Sequence, residues 1–214
     1  MRSLIIGGTP SSGKTCAVLW MSRRAPDLGR MGVVKVDCVT TDDQQVLESR
    51  NIPATTILAG GYCPDHVLME RLDDMQSFAD ERRLDTLVIE TAGLCGRCAP
   101  FLTDRPALCV LDCSAGIHAP AGLGPLLTDA DICLVTKGDL VSHAEREVFA
   151  AGVRNRNPGA KIVWFNGLTG EGIGGLYHAL MNEFKHGFDD AVAPRTGLPR
   201  LYCSYCLGRS EVET

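Results

Sequence analysis

The stretch GTPSSGKT, Gly8 to Thr15, decides the fold. It matches G-x-x-x-x-G-K-[ST] at every fixed position, and its context is right. The apolar run SLIIGG precedes it, and KTCAVLWMSRRA follows with the look of a helix. Glycines let a backbone wrap around phosphates, and successive N–H groups at a helix N-terminus hold the anion. Gly8, Ser11, Ser12, Gly13, Lys14, Thr15 and Cys16 are therefore expected to line a phosphate site. Lys14 would pair with the β- and γ-phosphates, and Thr15 would offer its hydroxyl to Mg²⁺.

Outward from this loop, short apolar runs alternate with helical patterns. GVVKVDCV, LDTLVIE, ALCVLDC, ICLVTK and KIVWFN read as further strands. Runs buried on both faces suit a mostly parallel sheet with helices on both faces, an α/β fold. Leu68, Leu72, Met75 and Ala79 fall on one helical face within a helix expected over Val67 to Arg83. Ser142 and Glu145 form a capping box that opens SHAEREVFAAGV. Ile173, Leu176, Tyr177, Leu180 and Phe184 make another apolar stripe. After Lys185 the pattern breaks into Gly, Pro and charge. The expected division is a nucleotide-binding domain over 1–186 and a linker with a Cys-x-x-Cys tail over 187–214.

Composition narrows the function. The 214 residues are 45% hydrophobic and 22% charged, ordinary for a globular protein. A chain of this length buries roughly 70% of its unfolded surface, so it needs no disulfide to fold. The net charge of −5 and the lack of a basic block argue against nucleic acid as a partner. No apolar run is long enough to cross a bilayer, and MRSLIIGG has no signal-peptide pattern. A cytoplasmic location is expected, in which ten cysteines are mostly thiols. Cys16, Cys38, Cys109, Cys113 and Cys133 lie within or beside apolar runs and read as small hydrophobes.

Downstream residues supply partners for the phosphate loop. LVIETAG puts Glu90 at a strand end, where an acid can face Mg²⁺, and Gly93 three residues on, where an amide can face the γ-phosphate. VVKVDC puts Asp37 at the end of the second strand, near the same edge of the sheet. Lys14, with Thr15 and Mg²⁺, would stabilise charge during hydrolysis, while Asp37 or Glu90 positions water or the metal. LVTKGDL supplies Thr136, Lys137 and Asp139. Guanine presents two N–H donors on one edge, and one carboxylate accepts both; adenine has no such pair. T-K-x-D thus reads as a guanine motif with Thr where Asn is usual, so GTP is expected in preference to ATP.

These residues resemble the SIMIBI-class GTPases of metallocentre assembly, the nickel-inserting proteins of hydrogenase and urease maturation and their cobalamin-biosynthesis relatives. The resemblance runs from Ser3 to about Lys185 and rests on motif order: the phosphate loop, Asp37, TTDD, GGYCPDH, Glu90 and TKGD. It implies a nucleotide-dependent homodimer that binds or transfers a transition metal for a client metalloenzyme. Cys63 and His66 occupy the place of the family's metal motif, with Asp65 inserted between them. A thiolate and an imidazole make a half-site for Ni²⁺ or Zn²⁺, which a two-fold axis would complete.

Two Cys-x-x-Cys pairs remain, Cys95/Cys98 directly after Gly93 and Cys203/Cys206 in the tail. Together they could bind Zn²⁺ or an iron–sulfur cluster, within one chain or across a dimer. CGRC also fits a redox dithiol whose pKa Arg97 would lower, and the four thiols could be unrelated. The main expectation is a GTP-dependent protein that delivers a metal or metal cofactor. The alternative is an ATPase that activates or reduces its client through a subunit-bridging iron–sulfur cluster; a metal-sensing module with structural nucleotide is a third reading.

Overall fold

In the computed structural model, residues 1–38, 42–93, 99–186 and 192–195 are described. Seven strands form one sheet: β1 (Arg2–Gly8), β2 (Met31–Asp37), β3 (Ala54–Leu58), β4 (Thr86–Thr91), β5 (Ala107–Asp112), β6 (Ile132–Thr136) and β7 (Lys161–Phe165). Their order is β3-β2-β4-β1-β5-β6-β7, and every ladder is parallel. β2 and β3 lie to one side of β1, β4 returns to fill the place between β1 and β2, and β5 to β7 extend the other side. The crevice at this reversal, beyond the carboxyl ends of the strands, is where such sheets hold ligands.

Helices cover both faces, as expected. On one face α1 (Lys14–Arg24), α2 (Asp43–Glu48) and α7 (Ile173–His186) bury Val18, Met21, Leu47, Leu176 and Leu180 against Leu4, Ile6, Val33 and Val88. On the other, α3 (Pro64–Glu70), α4 (Leu72–Glu81), α5 (Pro125–Thr128) and α6 (His143–Arg156) bury Leu68, Met75, Leu126, Leu127, Phe149 and Val153 against Ile5, Val34 and Ile89. Strand alternation sorts the neighbours Leu4, Ile5 and Ile6 onto opposite faces. The capping box of α6 forms as read: Ser142 Oγ accepts from Glu145 N–H at 3.3 Å, and Ser142 N–H donates to the Glu145 carboxylate at 2.9 Å.

Three local expectations change. The helix expected from Val67 to Arg83 is two helices that meet at Arg71 (φ −111°, ψ 19°). Pro64 starts the first of them, because its missing N–H is not needed in a first turn. Strand β3 escapes the sequence pattern because it is an edge strand, ATTIL, with half-buried threonines in place of a two-sided apolar run. Among the thiols read as hydrophobes, Cys109, Cys113 and Cys133 are buried, but Cys16 is exposed and Cys38 only half-buried. Cys16 and Cys38 sit at the mouth of the strand-end crevice, not beneath a helix. Cys109 and Cys133 are register partners on β5 and β6; burial pushes the Cys133 thiol up to about 12, and both are inert at neutral pH. Among the described residues, no helix is long and apolar enough to cross a membrane.

Candidate nucleotide and metal site

The loop between β1 and α1 adopts backbone conformations that favour glycine, with φ of +144° at Gly8 and +96° at Gly13. Ser11 is also left-handed, at φ +59°. The Lys14 ammonium folds back over the loop, donating to the Gly8 and Thr9 carbonyls at 3.1 and 3.0 Å. Burial lowers the Lys14 pKa, with Glu90 opposing. Ser12 is fully buried, and among the described residues its Oγ has no hydrogen-bond partner.

Strand β4 and the residues just beyond it bring two of the expected site residues to this loop. In the sheet register Glu90 lies between Ile6 of β1 and Lys35 of β2. Its side chain is 2% exposed, and among the described residues its Oε2 is buried without a partner. Burial pushes its carboxyl above the ordinary range, and Lys35 and Lys14 partly offset this. Gly93 packs directly on the loop. A Cβ there would lie 1.7 Å from the Gly8 carbonyl oxygen, and φ is +68°. Only glycine fits this approach.

The cleft so formed has a volume of about 680 Å³, and Ser11, Lys14, Thr15, Cys16, Lys35, Asp37, Asp43 and Glu90 line it. Asp37, at the end of β2, is largely buried, and its Oδ1 accepts from Cys38 N–H at 2.8 Å. Buried polar atoms without partners are rare and need a reason. The orphaned Ser12 hydroxyl and Glu90 Oε2, beside a lysine and a threonine in a backbone nest, suit a phosphate chain with a hydrated Mg²⁺.

Lys35 was not anticipated among the functional residues. Its ammonium lies 3.5 Å from Asp37 Oδ2, 3.7 Å from Glu90 Oε1 and in contact with the Asp43 carboxylate, while the residue is only 7% exposed. Burial alone would lower its pKa, but Glu90, Asp43 and Asp37 outweigh that and hold it above the ordinary value. The signal was present in GVVKVDCV: one charge inside a buried strand, two residues before Asp37 and so on its face.

The residues expected to read the base lie on and beyond β6. Thr136 Oγ1 donates to the Ser12 carbonyl at 2.7 Å and also lies 3.1 Å from the Leu111 carbonyl. The hydroxyl thereby ties the motif to the phosphate loop, so the loss of an Asn amide does not sever that link. Lys137, left-handed at φ +56°, pairs with Asp112 at the end of β5, Nζ to Oδ2 at 2.6 Å. Burial would raise the Asp112 carboxyl, but hydrogen bonds from Lys137 and Ser114 hold it below its ordinary value. Asp139 opens on a second cleft of about 280 Å³, which it shares with Asn166 and Glu171 of the FNGLTGEG loop. Arg146 stacks on Trp164 in its wall, 4.6 Å from the ring centroid. Trp20 of α1 fixes the same loop by donating its indole N–H to the Gly167 carbonyl at 2.9 Å.

Cys63 and His66 lie at the start of α3, both half-buried, with Cys63 at the N-cap and His66 in the first turn. Between them Asp65 turns inward: it is 2% exposed and accepts from Thr91 Oγ1 at 2.8 Å. The residue that widens the motif is therefore a buried strut to β4. Among the described residues no group of three or more His, Cys, Asp or Glu is arranged to hold a metal, so none completes the Cys63–His66 pair. Burial, then the charges of Asp37, Cys63 and Asp65, push the Cys38 thiol up. Cys95, Cys98, Cys203 and Cys206 lie outside the described residues, as do Thr40 and Thr41 of TTDD.

A parallel sheet with a phosphate loop after β1 and carboxylates at the ends of β2 and β4 defines a P-loop NTPase. Residues 2–164 match the family model described as CobW/HypB/UreG, nucleotide-binding domain. An uncharacterised protein of Methanocaldococcus jannaschii is 37% identical over 213 residues, 99% of this chain and 91% of that one. A urease accessory protein UreG of Haloquadratum walsbyi is 33% identical over 186 residues, 78% of this chain and 88% of that one. The crystal structure of HypB from Helicobacter pylori in complex with nickel shares the fold, with a TM-score of 0.70, 18% identity, and coverage of 89% of this chain and 91% of that one. The chain belongs to the CobW/HypB/UreG family of nucleotide-binding P-loop proteins.

Proposed function

We propose that this protein is a GTP-dependent homodimer that loads or delivers a transition metal, or a metal cofactor, to a client metalloenzyme. The observation that carries this reading is the buried Thr91–Asp65 hydrogen bond. It joins the strand that bears Glu90 and leads to Gly93 to the helix that bears Cys63 and His66. A shift of β4 in response to the γ-phosphate would be transmitted toward the thiol and the imidazole through this buried contact. Coupling of this kind needs an element that both sites bias, and β4 meets that description.

Bound Mg²⁺ would supply positive charge to the phosphates, held by Thr15, Asp37 and Glu90. Lys14 would leave the Gly8 and Thr9 carbonyls for the β- and γ-phosphates, exchanging two neutral acceptors for charged ones. Ser11, Ser12, Gly13 and Cys16 would contribute the remaining phosphate contacts from the loop. Gly93, against Gly8, would offer its amide to the γ-phosphate. Asp37 or Glu90 would orient the attacking water. Thr136 would brace the loop, Lys137 would cover the base, and Asp139 would accept the two guanine donors. The cargo, Ni²⁺ or Zn²⁺, would be shared by Cys63 and His66 of two subunits across a two-fold axis. Cys95 and Cys98, following Gly93 in sequence, and Cys203 and Cys206 form the second candidate metal or iron–sulfur set.

Calorimetry with non-hydrolysable GTP and ATP analogues tests the nucleotide, and size-exclusion chromatography with Ni²⁺ and the GTP analogue tests the dimer and its cargo. GTP-selective binding, nucleotide-dependent dimerisation and Ni²⁺ retained in proportion to dimer are expected. Equal or better ATP binding would sink the guanine assignment and favour the cluster-bearing ATPase, as would iron and a visible absorption band after anaerobic purification. Asp139→Ala is expected to weaken GTP binding about tenfold or more and leave ATP binding unchanged, because it removes the only carboxylate assigned to the base.

A further inference from the structure

Lys35 has no place in the roles assigned so far, yet it lines the cleft and is only 7% exposed, as Lys14 is. Its neighbours Val33 and Asp37 share its face of β2, and Val33 packs in the α1 cluster, so Lys35 lies on the phosphate-loop side of the sheet. Three carboxylates surround its ammonium: Asp37, Glu90 and Asp43. Two of them, Asp37 and Glu90, are the acids assigned to Mg²⁺.

A divalent cation and an ammonium cannot both keep the same two carboxylates at close range without strong repulsion. Mg²⁺ arriving with a nucleotide therefore displaces Lys35 from Asp37 and Glu90. The flexible four-carbon stem lets the ammonium move while its anchor in β2 stays fixed. The other anion that a triphosphate brings to this cleft, and a diphosphate does not, is the terminal phosphate.

We propose that Lys35 is a γ-phosphate-sensing cation: Asp37, Asp43 and Glu90 clamp it when the site is empty, and it transfers to the terminal phosphate when Mg²⁺ takes Asp37 and Glu90. Its effect is to make the site prefer triphosphate over diphosphate and to hold off divalent cations when no nucleotide is present. The proposal rests on the nucleotide-site reading above but is independent of the choice of base.

The test measures Lys35→Met and Lys35→Arg beside the wild type, with calorimetry of GMPPNP and GDP in Mg²⁺ and electron paramagnetic resonance of Mn²⁺ without nucleotide. Lys35→Met is expected to lose about tenfold or more in GMPPNP affinity while GDP affinity stays within about twofold, the worth of one charge-assisted contact. Its Mn²⁺ affinity without nucleotide should rise, because the competing ammonium is gone, and Lys35→Arg should retain the preference for GMPPNP. Equal losses for both nucleotides, or no loss for either, overturn the proposal. If Lys35→Met does not fold, Asp43→Asn replaces it: loosening the clamp should favour GMPPNP over GDP relative to wild type, and an unchanged ratio overturns the proposal. A wild type that binds AMPPNP as tightly as GMPPNP overturns only the guanine assignment, and the Lys35 comparison then runs with the adenine pair. A wild type that binds neither pair overturns both.

Discussion

Gly93 shows how one residue can couple a strand to a ligand loop. Any side chain there would meet the Gly8 carbonyl, since a Cβ would lie 1.7 Å from its oxygen, and the backbone is left-handed. Gly93→Ala is expected to cost about 3 kcal/mol or more, from overpacking and backbone strain together; urea melts of the two proteins check this. Asp112 makes a pH prediction. Its carboxyl is held below its ordinary value, so the Lys137 pair contributes stability above the unfolded-state pKa, about 3.9. That contribution is lost as pH falls through the lower, folded-state pKa. The stability gap between wild type and Asp112→Asn should be full near neutral pH and close in strong acid, as read by denaturant melts at several pH values. A gap that persists unchanged in acid would contradict the ion pair.

Among the elements, β4 carries the most function per residue. It holds Glu90 beneath the phosphate loop, ties α3 through Thr91 and Asp65, and delivers the chain to Gly93. Thr91→Val removes a buried donor while keeping the shape, and is expected to cost about 1–3 kcal/mol. If the strut couples the sites, the variant should also reduce the effect of GTP analogue on Ni²⁺ affinity, which calorimetry with each ligand in turn measures. Sequence reading found Glu90 and Gly93 because motif spacing marks them. It assigned Cys63 and His66 to a metal but left Asp65 as an interruption, since nothing in CPDH says that the middle acid faces inward. Likewise, the run from Val67 to Arg83 keeps its apolar spacing across the break at Arg71, so periodicity alone joined two helices.

At the scale of the molecule, residues 192–195 lie against the connection between β4 and β5. Pro194 bridges Leu102, and Thr103 N–H donates to the Ala193 carbonyl at 2.8 Å. The Arg195 guanidinium uses all five donors: a two-pronged pair with Asp131 at 2.5 and 2.7 Å, and the carbonyls of Leu102, Arg105 and Asp129. With both side chains about one-fifth exposed, Arg195→Ala is expected to cost about 2–3 kcal/mol. Faster hydrogen exchange at the Thr103 amide would accompany it.

The sequence by itself determined the strand–loop–helix that binds phosphate, the alternation that builds a parallel sheet, and the positions of Asp37, Glu90, Gly93 and Asp139. These are local matters: a motif or a period is written in adjacent residues. Only the tertiary structure decided that Lys35 is held among three acids, that Asp65 is a strut, that Thr136 braces the phosphate loop, and that Arg195 pins residues 192–195. Most of those contacts join residues from different parts of the fold, 8 to 124 positions apart in the chain. Spacing along the chain does not encode such meetings, because the order of strands in the sheet, not their order in sequence, sets which residues become neighbours.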